Sequence, residues 1–235
     1  MPVQAVLFDL DGVISDTTPL HSKAWKTVLD DVLNRSGRSG APFSEESEYP
    51  VYFDGKTRRT GIESFFLSRH ITLPLEGEEG TAADAILAIG NAKNAVFHEL
   101  LMREGAHVFD DAVRLIARAR AAGLDLGLAS SSKNARAVLT ECGLRDSFKV
   151  IVDGLYAEEH RLASKPSPDF YARAAALIGH EPGHCAVLED AISGVRSAKW
   201  AGIGIVVGVA RKGNAADLRS NGADIVVASL DELSL

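Results

Sequence analysis

The chain has 235 residues, 46% hydrophobic and 24% charged, which is enough for a real core and excludes a disordered chain. Its 25 basic and 32 acidic residues give a net charge of -7. That balance removes any global attraction to nucleic acid or anionic lipid.

In chain order, the first short apolar run is Val3–Phe8, and it ends in Phe8-Asp9-Leu10-Asp11-Gly12. Residues 17–104 contain no strand-like run. There, Ala24, Trp25, Val28, Leu29, Val32 and Leu33 follow the spacing of an amphipathic helix. Residues 34–53 are polar and turn-rich and predict a loop with little order of its own. Ile62, Phe65 and Phe66 mark a second helix. Ile86, Ile89, Val96, Phe97 and Leu100 mark another, with an interruption expected near Gly90-Asn91.

Short runs rich in Val, Ile and Leu then return at Leu124–Ala129, Val150–Val152, Cys185–Leu188, Ile203–Val207 and Ile225–Val227. They alternate with helical patterns at 110–122, 133–142, 168–178, 191–200 and 214–221. Runs without strict alternation suit strands buried on both faces of a parallel sheet. The expected class is therefore α/β: a Rossmann-like, doubly wound parallel sheet built from residues 1–16 and 105–235, interrupted by a helical cap over 17–104. In such sheets ligands bind at the carboxyl ends of the strands.

Four motifs fall at that edge. Asp9 and Asp11 follow the first strand at spacing two, which on extended chain sends both carboxylates to one side. Such a pair can bind a hard cation, or attack phosphorus with one member and move a proton with the other. Leu128-Ala129-Ser130-Ser131-Ser132-Lys133-Asn134 ends a strand and opens a helix, where a serine is commonly a cap but also suits phosphate. Lys165-Pro166-Ser167-Pro168-Asp169 places a lysine before a proline-fixed helix start. Leu188-Glu189-Asp190 ends another strand with a second acidic pair. Taken singly, each has a plain structural explanation, a solvated turn or an incidental calcium loop in the case of the first. Together, acids for a cation, a hydroxyl and a lysine for phosphate oxygens, and a carboxylate nucleophile make one phosphoryl-transfer site.

With these four motifs in order, the sequence resembles the haloacid dehalogenase superfamily across essentially its whole length. It is most similar to the β-phosphoglucomutase branch, through Asp9-Leu10-Asp11-Gly12-Val13-Ile14-Ser15-Asp16-Thr17, His21, Ala24-Trp25-Lys26, Asp54–Gly61 and Lys93-Asn94. The resemblance implies an aspartyl-phosphate on Asp9, with Asp11 as general acid and base. It implies Mg²⁺ held by Asp9, Asp190 and the main-chain carbonyl of Asp11, with Glu189 as a ligand or just behind the ligands. Ser130 and Lys165 would bind the transferring phosphoryl group. The reaction implied is interconversion of β-glucose 1-phosphate and glucose 6-phosphate, with a glucose 1,6-bisphosphate activator. The same residues would also serve a phosphatase of sugar phosphates or other small phosphomonoesters. A phospho-accepting signalling module is a remote third reading, disfavoured because the DxD pair sits on the first strand.

The cap adds candidates of its own. Thr17, His21, Trp25 and Val28 share one helical stripe. His21 could equally be a buried, hydrogen-bonded histidine. Lys93 lies on the apolar stripe of Ile86, Ile89, Val96 and Leu100, where a charge needs a reason; a bound anion or snorkelling to solvent would each supply one. Periodicity cannot choose between Arg58 and Arg59, and the resemblance favours Arg58 for the second phosphate. Ser131, Lys133 and Asn134 are candidates from the core side, although a plain helix start explains Lys133 and Asn134 equally. Two features depart from the branch: Asp54 replaces a usual basic residue, and the 34–53 loop is long. Gly202, Gly204 and Gly208 only mimic a dinucleotide fingerprint, because they precede or lie within a strand.

Cys142 and Cys185 have no CxxC spacing, so neither a disulfide framework nor a cysteine zinc site is expected. The N-terminus lacks a basic segment followed by a long apolar one, and the longest apolar run, Trp200 to Ala210, is too short to span a bilayer. The expectation is a cytoplasmic monomer acting on a small sugar phosphate, without nucleic-acid or membrane partners.

Overall fold

The computed structural model describes residues 2–37, 41–54 and 56–234. The elements begin with strands β1 (Ala5–Phe8) and β2 (Ser15–Asp16). Helices α1 (Thr18–Arg35), α2 (Tyr49–Tyr52), α3 (Arg58–Ser68) and α4 (Ala82–Glu104) follow. Then come β3 (His107–Val108), α5 (Asp110–Ala121), β4 (Asp125–Ala129), α6 (Ala135–Glu141) and β5 (Val150–Val152). The chain continues through α7 (Gly154–Glu159), α8 (Asp169–Ile178), β6 (Cys185–Glu189), α9 (Ile192–Trp200), β7 (Ile205–Val209), α10 (Ala215–Ser220) and β8 (Ile225–Val227). It divides into two compact units, residues 1–16 with 106–235, and residues 17–105. No described helix is long and apolar enough to cross a membrane.

The first unit is built on a six-stranded sheet in the order β5-β4-β1-β6-β7-β8, and every pairing is parallel. Both faces of β1 are covered, as its unbroken apolar run requires. Ala5 and Leu7 join a buried cluster with Phe170 and Ala174 of α8, Val195 of α9 and Leu218 of α10. Alternation sends Val6 and Phe8 the other way, where both are also buried and Phe8 meets Phe148 edge-on at 5.7 Å. The chain leaves β1 toward β4 and β5, then crosses back to β6. That reversal beside β1 is a topological switch point, where open α/β sheets bind ligands. β2 and β3 pair antiparallel, Ser15 with Val108 and Asp16 with His107, so the two segments bounding the second unit in sequence run side by side. These two-residue strands and helix α7 were not anticipated from periodicity, which needs longer segments.

The second unit is helical, and two expectations for it need correction. The 34–53 segment is not an unordered loop: Phe43, Tyr49 and Phe53 are buried in the unit's core with Trp25, Phe65 and Ile62. Asp30 Oδ1 accepts the Phe43 amide at 2.6 Å, and Arg69 pairs with Glu48 at 2.7 Å. Three aromatic anchors outweigh the polar composition around them. Positions 38–40 of that segment, and Gly55, lie outside the described residues. Helix α4 also runs unbroken from Ala82 to Glu104 through Gly90-Asn91. Thr81 caps it, with Asp84 completing the reciprocal capping box.

Candidate active site

The parallel register assembles the first unit's site. Phe8 is level with Leu128 on β4 and with Leu188 on β6. One residue further on, Asp9, Ala129 and Glu189 stand abreast at the carboxyl edge. The Asp9 amide still donates to the Leu188 carbonyl at 3.0 Å. Beyond Asp9 the strand gives way to a tight turn. The Leu10 carbonyl accepts the amides of Ile14 and Ser15 at 2.8 and 3.0 Å, and Gly12 N–H donates to the Ser15 carbonyl at 2.8 Å. Asp11 forms an isolated bridge with Ser15 at the mouth of this turn.

Lys165 closes the site. It is 3% exposed, and its Nζ is surrounded by four oxygens: Asp9 Oδ1 at 2.8 Å, the Ala129 carbonyl at 3.0 Å, the Tyr171 hydroxyl at 3.1 Å and Glu189 Oε1 at 2.5 Å. Burial alone would lower its pKa, but Asp9 and Glu189 outweigh burial and hold the ammonium above its ordinary pKa. Burial raises the Asp9 carboxyl well above its usual value; Lys165 opposes this, while Glu189 and Asp190 add to it. The site thus concentrates three acids, Asp9, Glu189 and Asp190, around the buried Lys165 ammonium.

Asp9, Glu189 and Asp190 each offer a carboxylate oxygen, all within 4.8 Å of one another. An all-oxygen, anionic set suits a hard divalent cation. Gly12 keeps the neighbouring space open: its φ is +81°, and a Cβ there would fall 2.0 Å from Asp190 Oδ2. Glu189 is well occupied. Its Oε1 accepts from Lys165 and from the Tyr171 hydroxyl at 2.9 Å, and its Oε2 accepts the Ala191 amide at 3.1 Å. Gly194 is pressed against it, where a Cβ would lie 1.6 Å from Oε1. Glu189 is therefore, with Asp9, a counter-charge of Lys165. The Asp11 carboxylate is not in the acidic cluster found among the described residues.

Ser130 is 2% exposed, follows β4 and accepts the Ser132 amide at 3.2 Å. Ser131 is half-buried beside it. Lys133 pairs with Glu158 of α7 at 2.7 Å, so its charge is already engaged within this unit. Asn134 is buried, and among the described residues its Nδ2 has no hydrogen-bond partner, which leaves a donor for a ligand. Four residues at this edge were missed. Tyr171 bridges Lys165 and Glu189, and its position six residues past the lysine carries no motif. Arg211, Lys212 and Asn214 follow β7. Lys212 donates to Asp190 Oδ2 at 3.2 Å, and Asn214 Nδ2 donates to the Asp190 carbonyl at 3.0 Å. The rule that drew attention to other strand ends applied equally to this one.

The second unit gathers its own candidates. Lys93 is 3% exposed and hydrogen-bonds His21 Nδ1, 4.6 Å from the Phe97 ring centroid and 5.5 Å from that of Trp25. His21 stacks on Phe97 at 4.1 Å. Burial, then Lys93 and Arg58, push its pKa well below the ordinary value, so the ring is neutral and its Nδ1 accepts. Arg58 donates to Asn94 Oδ1 at 3.1 Å, whereas Arg59 is exposed and pairs with Glu63 at 2.8 Å. Trp25 is a core residue stacked on Phe53 at 4.2 Å. Thr17 is fully buried, and its carbonyl accepts the His21 amide at 2.9 Å.

Comparison with known proteins places the chain in a family. The family model for haloacid dehalogenase-like hydrolases matches residues 3–202. A β-phosphoglucomutase of Mycobacterium bovis is 44% identical over 240 residues, covering 98% of this chain and 91% of the relative. One from Bacillus subtilis is 30% identical over 235 residues, covering 99% and 92%. The crystal structure of a Clostridium difficile β-phosphoglucomutase shares the fold with a TM-score of 0.81 at 24% identity, covering 99% of this chain and 94% of that one. The chain belongs to the haloacid dehalogenase-like hydrolases, and is an enzyme of their phosphotransferase and phosphatase type.

Proposed function

We propose that the protein is a Mg²⁺-dependent β-phosphoglucomutase, interconverting β-glucose 1-phosphate and glucose 6-phosphate through an aspartyl-phosphate. The observation that carries the reaction class is Lys165 bonded at once to Asp9 and Glu189 at a strand-end edge. The 44% identity to the mycobacterial β-phosphoglucomutase supports the choice of substrate.

An Asp9 carboxylate oxygen attacks phosphorus, the bond from phosphorus to the sugar oxygen breaks, and Asp11 gives that oxygen its proton. In the return step a second sugar hydroxyl gives its proton to Asp11 and takes the phosphoryl group from Asp9. Lys165, Ser130 and Ser131 hold the phosphoryl oxygens, and the open donor of Asn134 serves the same end. Asp9, Asp190 and the main-chain carbonyl of Asp11 would hold Mg²⁺. When bound, the ion offsets the repulsion between the carboxylate and the phosphate. In the second unit, Arg58 and Lys93 bind the phosphate that is not reacting, and Thr17, His21 and Trp25 shape the sugar's surroundings. Lys133 is a weaker contributor, since Glu158 holds it.

The test is incubation with β-glucose 1-phosphate, a trace of glucose 1,6-bisphosphate and Mg²⁺. Glucose 6-phosphate is the expected product, and Asp9→Asn abolishes it. Free phosphate without glucose 6-phosphate would overturn the mutase reading in favour of a phosphatase using the same residues.

A further inference from the structure

Arg211, in the loop after β7, holds the turn that carries Asp11. Its Nε donates to the Gly12 carbonyl at 3.1 Å and its Nη2 to the Val13 carbonyl at 3.3 Å. The other side of the guanidinium forks onto Asp111, Nη1 to Oδ2 at 3.0 Å and Nη2 to Oδ1 at 2.7 Å. Phe109 lies under it, 3.8 Å from the ring centroid to Cζ, which fixes the plane of the fork. Asp111 is anchored in turn by the Ser229 hydroxyl at 2.8 Å and the Leu230 amide at 2.9 Å. The other side of the turn is set by Gly12, which fits against Asp190 only because it lacks a Cβ. Residues 12 and 13 are therefore pinned between Asp190 and Arg211.

We propose that Arg211 is a positioning residue for phosphoryl transfer: by clamping the 12–13 carbonyls to Asp111 it fixes where the Asp11 carboxyl stands. This rests on the reading of Asp11 as the group that protonates the leaving oxygen. A stabilising ion pair alone would need only the Asp111 side of the fork. The second pair of bonds goes to main-chain oxygens one and two residues past the acid. Lysine cannot replace this arrangement, because a point charge cannot span two carbonyls and a bidentate carboxylate. Proton transfer needs heavy atoms within about 3 Å, and a misplacement of about 1 Å costs on the order of 10²-fold in rate.

The test compares two phosphoryl donors in single-turnover phosphorylation of Asp9. β-Glucose 1-phosphate releases a sugar oxygen that needs a proton, whereas acetyl phosphate releases acetate, which does not. Arg211→Lys is expected to slow the sugar donor about 10²-fold and to leave acetyl phosphate nearly unchanged. If Arg211→Lys does not fold, Asp111→Asn, which removes the anchor of the fork, is expected to show the same split. Equal loss on both donors, or no loss on either, would overturn the proposal. Asp11→Asn is run alongside. If it too slows both donors equally, or wild type accepts neither donor, the assignment of Asp11 has failed. If Asp11→Asn separates the donors and the Arg211 variant does not, only the role of Arg211 falls.

Discussion

Gly90 in the middle of α4 lies directly against the Arg58 side chain: a Cβ at position 90 would come 2.5 Å from Arg58 Cδ. The glycine does not break the helix; it makes room for a cation. Gly90→Ala gains helix propensity, worth about 1 kcal/mol in an open helix, but forces Arg58 into another rotamer and away from Asn94. The expected outcome is an intact helical signal by circular dichroism and a KM for the sugar phosphate raised about 10-fold, the equivalent of one charged hydrogen bond. A folded variant with unchanged KM would remove Arg58 from the substrate-binding set.

Lys165→Met leaves Asp9 and Glu189 buried without their shared cation. Breaking a buried ion pair from one side costs about 3–5 kcal/mol, so a markedly lower Tm is expected together with loss of turnover. Magnesium held through Asp9 and Asp190 as proposed would return positive charge beside Asp9, and should raise the Tm of the variant more than that of wild type. Thermal scans with and without magnesium check both points. A Tm equal to that of wild type would show that the triad is not coupled as its distances imply.

Tyr171→Phe keeps the ring 4.7 Å from the Lys165 ammonium but removes the hydroxyl that links Lys165 to Glu189. Loss of a buried hydrogen bond to a charged group predicts destabilisation of about 1–3 kcal/mol. Denaturant unfolding measures it, and a change below about 0.5 kcal/mol would make the hydroxyl incidental.

His21 is neutral because burial, Lys93 and Arg58 all disfavour the imidazolium. Its ring resonances should show no titration midpoint near the ordinary value of 6.5 when followed by NMR from about pH 8 down to about pH 5. The unfolded chain takes up its proton near 6.5, and the folded one only at lower pH. The stability due to this group is therefore complete above 6.5 and is lost as pH falls below it. A midpoint at 6.5 or above would contradict the Lys93–His21 contact.

The sheet and its acidic edge were legible in the sequence because strands buried on both faces leave apolar runs, and motifs at their ends leave fixed spacings. Leu128-Ala129-Ser130 and Leu188-Glu189-Asp190 could be placed level with Asp9 for that reason. What escaped depends on contacts between distant segments. Nothing local marks Tyr171 as a partner of Glu189, or Arg211 as a partner of Gly12 almost two hundred positions away. The order in residues 41–54 was hidden for the opposite reason: Phe43, Tyr49 and Phe53 are spaced too irregularly to reveal a face, and only the packed core shows that all three point inward. Gly90 was misjudged because propensity describes the helix alone, while the glycine answers to a side chain from α3.

Asp111 ties the site to acid stability. Burial pushes its pKa up, but Arg211, the Leu230 amide and the Ser229 hydroxyl outweigh burial and bring it from 3.8 to about 2. Because the folded value is the lower one, the stabilisation is present above about pH 4 and is lost as pH falls from about 4 toward 2. The shift corresponds to about 1–2 kcal/mol after allowance for the partial exposure of Arg211. Asp111→Asn should therefore be less stable than wild type by that amount at neutral pH, and the gap should narrow in unfolding curves taken at about pH 3. A gap independent of pH would mean that packing around residue 111, and not its charge, sets the difference. The clamp on Gly12 and Val13 would then rest on hydrogen-bond geometry alone.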